Sequence, residues 1–157
     1  MIKVDKIISA TWIYTGEDQD KVLFDHSIVV SDKKIRDIQP TIKAHQIYEA
    51  DETYQLSNHI LLPGLINTHT HCAMSLLKGY ADDLQLETWL NDYIWPAESK
   101  FVNYDFVRVG SELAIAEMIK GGTTTFNDMY FFPEATAEAS KNLGIRANIG
   151  LVVMEFP

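Results

Sequence analysis

An α/β chain is what the sequence predicts: a small β unit, then a series of parallel βα units. Residues 2 to 60 hold β-branched and aromatic residues in short runs broken by polar turns. Beyond Pro63-Gly64 the pattern changes, and strand-like runs alternate with helical ones. At the junction, LLPGLINTHTH (residues 61 to 71), an apolar run and a Pro-Gly break lead to two histidines one residue apart, where a buried strand should be ending.

In the first region the strands read as IKVDKIISATWIY, VLFDHSIVVSDKKIRDIQP and HQIYEADETYQLSN, with turns at Gly16-Glu17-Asp18, Ser31-Asp32 and Asp51-Glu52. His26 and His45 have no acidic or cysteine partner at a metal-like spacing, so they read as solvated or core histidines. The second region opens with the strand that ends in THTH, followed by a long polar-apolar segment. VNYDFVRVGSELAIAEMIK then carries apolar residues at Val102, Phe106, Val109, Leu113 and Ala116, the spacing of one helix face. Asn103 or Asp105 is its expected N-cap and Gly121-Gly122 its stop. TTTFNDMY reads as a second buried strand from Thr123 to about Phe126. Pro133 opens the helix PEATAEASKNLG, Gly144 closes it, and IRANIGLVV supplies a third strand.

This alternation is that of parallel βα units, because parallel neighbours need a crossover connection. Three such strands cannot close a barrel of eight, so the sheet is either open or the front portion of something larger. The final MEFP carries no helix stop or polar tail, and the expectation is a fragment.

Composition excludes several classes of function. Thirteen basic against twenty-two acidic side chains give a formal net charge of -9, with no Lys/Arg cluster to meet phosphates, so no nucleic acid is expected as partner. Lys3, Asp5 and Lys6 interrupt the N-terminal apolar residues, and no stretch approaches the roughly 20 apolar residues of a membrane helix. A single cysteine, Cys72, excludes an intrachain disulfide. A cytoplasmic protein with no membrane partner is the expectation.

The chemistry gathers at His69 and His71. Side chains alternate along a strand, so these two point to one face while Thr68 and Thr70 point to the other. Two imidazoles on one face at a strand end can bind one divalent metal, although a strand with two incidental polar residues has the same appearance. In parallel α/β barrels functional residues come from the C-terminal ends of strands, where His69 and His71 lie. Asp128, expected just after the second strand, is either a turn or helix-capping acid or a support for the metal ligands. Trp89, Trp95, Tyr80 and Tyr130 can wall an apolar pocket for an aromatic base, or serve as plain core. Alternation turns Cys72 away from the histidines, toward a buried reduced thiol.

PGLINTHTHCAMSLLKGYADDLQLETWLNDYIWPAE (63 to 98) and GGTTTFNDMYF (121 to 131) closely resemble the amidohydrolase superfamily, in its branch of 5'-methylthioadenosine/S-adenosylhomocysteine deaminases and chlorohydrolases. The Trp89 and Pro96-Ala97-Glu98 region points to the branch. The resemblance runs through the whole chain. It implies a β-sandwich portion over residues 1 to 60 and the first βα units of a metal-dependent (β/α)8 TIM barrel over 61 to 157, the barrel incomplete. It implies a divalent metal, usually Zn2+, on His69 and His71, with a third histidine, an aspartate and the acid/base glutamate beyond Pro157. It also implies that Glu98 contacts substrate at the ribose hydroxyls, and a carboxylate is suited to a vicinal diol because it accepts two hydrogen bonds. Glu98 and Trp89 are therefore the substrate-binding candidates, for a small nucleoside-like molecule. An arginine that some deaminases carry early in the third strand is absent around Gly150 and Leu151, and Arg146 lies too early to be equated with it.

The implied activity is hydrolysis of a carbon–nitrogen bond other than a peptide bond, deamination of an adenosine derivative by the full-length protein. Its rivals are a chlorohydrolase or a guanine or cytosine deaminase on the same scaffold. A further alternative is an inactive fragment, since two imidazoles alone hold zinc weakly. Enzymes of the branch are often dimers or larger, which leaves a homo-oligomer open, and no stretch of sequence separates as an interface.

Overall fold

The computed structural model describes residues 1–17 and 21–153. Asp18 of the first expected turn and the terminal MEFP lie outside the described residues. The chain divides into two units, Met1–Pro63 and Gly64–Pro157. No helix among the described residues is long and apolar enough to cross a membrane.

The first unit contains β1 (Ile2–Tyr14), β2 (Val22–Ser31), β3 (Lys34–Pro40), α1 (Thr41–Ile47) and β4 (Tyr48–Leu61). They form one four-stranded sheet in the order β3-β2-β1-β4, in which β1 and β4 run parallel and the other neighbours antiparallel. Val4 and Ile7 of β1, Val29 of β2, Ala44 of α1 and Tyr48 of β4 make its core. Two sequence expectations are corrected here. Thr41–Ile47 is helical, with Ala44 fully buried, and it takes the chain from β3 to the far edge of the sheet. Asp51-Glu52 is not a turn: β4 runs straight through it, paired with β1 on both sides, and Glu52 faces Lys6 across the parallel pair and binds it at 2.9 Å. The expected turn at Ser31-Asp32 is present, with Asp32 at φ 54° and Lys33 at φ 62°, and the Asp32 N–H donates to Asp5 Oδ2 at 2.8 Å.

The second unit is a three-stranded sheet in the order β5-β6-β7, all parallel, from β5 (Leu65–Thr70), β6 (Thr123–Met129) and β7 (Arg146–Gly150). Between β5 and β6 come a 3-10 helix (Cys72–Leu77), the short α2 (Leu86–Thr88), a π-helical turn (Trp89–Ile94), α3 (Trp95–Phe101) and α4 (Tyr104–Lys120). α5 (Pro133–Leu143) joins β6 to β7. Asn103 caps α4, its Oδ1 accepting the Phe106 N–H at 2.9 Å. Gly144 ends α5 in the left-handed region at φ 74°, a conformation that glycine adopts without strain. β6 runs three residues past Phe126, while β7 stops at Gly150 rather than continuing through Leu151 to Val153.

The buried face of α4 differs from the one its apolar spacing predicts. Val107, Gly110, Ser111, Ala114 and Ile115 are buried, whereas Val109 and Leu113 are about two-fifths exposed. Small residues win the inner face because the helix lies against the backbone of the 3-10 helix. A Cβ at Gly110 would sit 2.5 Å from the Ala73 carbonyl oxygen. Leu65 and Ile66 of β5 are more than half exposed in this chain, which holds three strands of the sheet with β5 at one edge.

Candidate metal centre and substrate cleft

His69 lies on β5, and His71 is the first residue beyond its end. Their rings are 5.1 Å apart between centroids, at 80° to one another. Two imidazoles that share one ion through bonds of about 2.0–2.1 Å and a tetrahedral angle have centroids about 5 Å apart, so the spacing suits a common cation. His71 Nδ1 lies 2.6 Å from the Met129 carbonyl oxygen on β6. A carbonyl can only accept, so Nδ1 carries the proton and Nε2 keeps its lone pair for a metal.

The turn that places His71 is fastened by Asp128. This residue is 1 % exposed and lies within β6, in register with Thr70, not after the strand as the sequence suggested. Its Oδ1 accepts from the Thr70 hydroxyl at 2.7 Å and from the Cys72 N–H at 2.8 Å. One carboxylate oxygen thus holds the residues on either side of His71. The other, Oδ2, is buried with no hydrogen-bond partner among the described residues. A buried carboxylate oxygen without a hydrogen-bond donor is a group that a cation would satisfy. Among the described residues no group of three or more His, Cys, Asp or Glu side chains gathers to hold an ion. The donor set fits a divalent metal of zinc type in its chemistry and spacing but supplies only two of the ligands. Cys72 is no third one: it is buried, burial pushes its thiol up to about 12, and the thiol lies 3.3 Å from the Thr70 hydroxyl.

Beside His71 opens a cleft of about 290 Å³, lined among others by Met74, Trp89, Ile94, Trp95, Glu98 and Tyr130. Trp89 and Glu98 reach it together because of the π-helical turn. Residues nine apart in an uninterrupted α-helix are about two and a half turns apart and face opposite ways. The wider turn over Trp89–Ile94 unwinds the segment and brings both to one side. Tyr80 does not line this cleft; it packs edge-on against Tyr93, 6.3 Å away, and is half exposed. The Tyr130 hydroxyl donates to Glu98 Oε1 at 2.6 Å. Burial, then the bond to Glu98, raises its phenol well above the ordinary tyrosine value, so it remains a donor. Neither this bond nor the Met129 carbonyl that orients His71 was legible in the sequence, since both join residues more than thirty positions apart.

Residues 60–157 match the amidohydrolase family. The chain belongs to that family. A curated relative, the 5-methylthioadenosine/S-adenosylhomocysteine deaminase of Thermodesulfovibrio yellowstonii, is 47% identical over 96% of this chain and 35% of its own length. A solved adenosine deaminase from Xanthomonas campestris, with bound zinc, is 41% identical at a TM-score of 0.93, over 99% of this chain and 36% of that one. The atrazine chlorohydrolase of Arthrobacter aurescens, complexed with zinc, is 27% identical at a TM-score of 0.74, over 92% of this amidohydrolase chain and 35% of its own. This chain therefore spans about a third of the length of the relatives it matches.

Proposed function

We propose that this amidohydrolase chain supplies the first metal ligands and part of the substrate cleft of a zinc-dependent aminohydrolase. In the full-length protein β5, β6 and β7 are the opening strands of a (β/α)8 barrel, and residues 1 to 60 contribute to a β-sandwich. The substrate is an adenosine derivative such as 5'-methylthioadenosine or S-adenosylhomocysteine. The observation that carries this reading is the placement of His71 on the same cleft as Glu98 and Trp89. An ion-binding strand end, a carboxylate and a flat aromatic surface then meet in one apolar space, which is what a nucleoside requires.

His69 and His71 would hold the metal, which when bound supplies Lewis-acid activation of water at neutral pH. In hydrolytic deamination the oxygen of water joins C6 of the purine and the C6–N bond breaks; one proton of the water leaves with the amino group as ammonia and the other ends on N1 of the 6-oxopurine. The residues of this chain bind and orient. Asp128 and the Met129 carbonyl set the position and tautomer of His71. Trp89 and Trp95 offer faces against which a purine packs and from which water is excluded. Glu98 accepts from sugar hydroxyls.

Full-length protein reconstituted with zinc tests the reading. It is expected to release ammonia from methylthioadenosine or S-adenosylhomocysteine and to leave a chlorotriazine and guanine untouched, and His69→Ala is expected to lower bound zinc. Chloride release from the triazine without ammonia from any nucleoside would move the assignment to a chlorohydrolase. Unchanged zinc content in His69→Ala would remove the metal assignment.

A further inference from the structure

Tyr130 lies between His71 and Glu98 in the wall of the cleft. Its ring lies 6.3 Å from that of His71 and 5.2 Å from that of Phe131, and it packs with Ala73, Val107 and Ala135 in one buried cluster, only 6 % exposed. A ring held that firmly gives its hydroxyl one place to be, and that place is 2.6 Å from Glu98 Oε1. Glu98 by contrast is half-buried on a long side chain, and fixing a glutamate rotamer costs up to about 1.5–2 kcal/mol of conformational entropy.

We propose that Tyr130 is a positioning residue: its hydroxyl occupies one lone pair of Glu98 Oε1 and so presets the carboxylate, with Oε2 and the remaining lone pairs turned to a ribose diol. The inference rests on the deaminase reading and deepens it. It assigns selection for ribonucleosides over deoxynucleosides to a pair of residues, Tyr130 and Glu98. Tyr130→Phe keeps the buried ring and removes only the hydroxyl, so the carboxylate loses its preset orientation while the packing around His71 stays.

The test measures kcat and KM of the full-length, zinc-loaded protein for an adenosine ribonucleoside and its 2'-deoxy counterpart. The proteins are wild type, Tyr130→Phe, Glu98→Gln and the double variant, each with its zinc content and melting temperature. In Tyr130→Phe the KM for the ribonucleoside is expected to rise about tenfold, the scale of one hydrogen bond to a charged group, with kcat within about twofold. The KM for the deoxynucleoside should change little, so discrimination falls by the same factor. In the Glu98→Gln background the Tyr130→Phe change should be nearly silent. Equal effects on both substrates, a lower melting temperature with an unchanged discrimination ratio, or an undiminished effect without Glu98 would each overturn the proposal. Failure of the wild type to deaminate any adenosine derivative would instead sink the deaminase reading, and this inference with it.

Discussion

Replacing Gly110 by alanine should destabilise the second unit and loosen the proposed metal ligands, against the ordinary preference of helices for alanine. On α4, Gly110 faces the backbone of Ala73, two residues past His71. A Cβ there would lie 2.5 Å from the Ala73 carbonyl oxygen, 2.8 Å from its Cα and 3.0 Å from its carbonyl carbon. These distances fall about 1 Å short of comfortable contact, and backbone atoms cannot rotate aside. Overpacking of this kind costs about 3 kcal/mol at the upper end of its usual range, and helix propensity returns about 1 kcal/mol, for a net loss of about 2 kcal/mol. Gly121, at the end of the same helix, is the control. Its Cβ would meet the Glu117 and Met118 carbonyl oxygens at 3.5 and 3.6 Å, with φ at -83°, so alanine there should be neutral or stabilising by up to about 1 kcal/mol. Denaturant midpoints of the two full-length variants measure the difference. Zinc content follows displacement of Ala73 and with it His71, and should fall in Gly110→Ala alone. A Gly110→Ala protein as stable as Gly121→Ala, with its zinc intact, would refute the close-packing argument.

Two further outcomes follow from the ligand turn. Asp128→Ala removes the acceptor of the buried Cys72 N–H and should cost about 1–3 kcal/mol in denaturant unfolding together with weaker zinc retention, while Asp128→Asn, which keeps an acceptor oxygen, should lie closer to wild type. Equal behaviour of the two variants would show that the carboxylate oxygen does not fasten the turn. The Cys72 thiol, 3 % exposed and raised to about 12, should take up iodoacetamide at pH 8 about three orders of magnitude more slowly than a free thiol until the protein is unfolded in guanidinium. A rate within tenfold of a free thiol would mean that the segment after β5 opens readily.

What could be read from the sequence was local or periodic. Alternation along a strand put His69 and His71 on one side, and a capping asparagine and a terminal glycine marked the ends of α4 and α5 at Asn103 and Gly144. Strand and helix alternation implied a parallel sheet, as in β5-β6-β7. What could not be read depended on which surfaces meet. Hydrophobicity alone points to Val109 and Leu113 as the inner face of α4, but close approach to Ala73 selects Gly110, and Ala114 turns inward against Phe126 and Ala139. The Asp51-Glu52 pair has the composition of a turn, and only the pairing of its surroundings with β1, from Ile2↔Tyr48 to Ile13↔Leu61, makes it part of β4.

The chain by itself thus determined where the candidate groups stand, two imidazoles one residue apart at His69 and His71 and a carboxylate at Glu98, because residue type and short-range spacing are written in consecutive residues. Tertiary structure alone decided how they are aimed. The Met129 carbonyl that fixes the His71 tautomer, the Asp128 oxygen that clamps its neighbours and the Tyr130 hydroxyl on Glu98 come from sequence-distant positions, and pairing and packing of β6 with its surroundings bring them within hydrogen-bond distance.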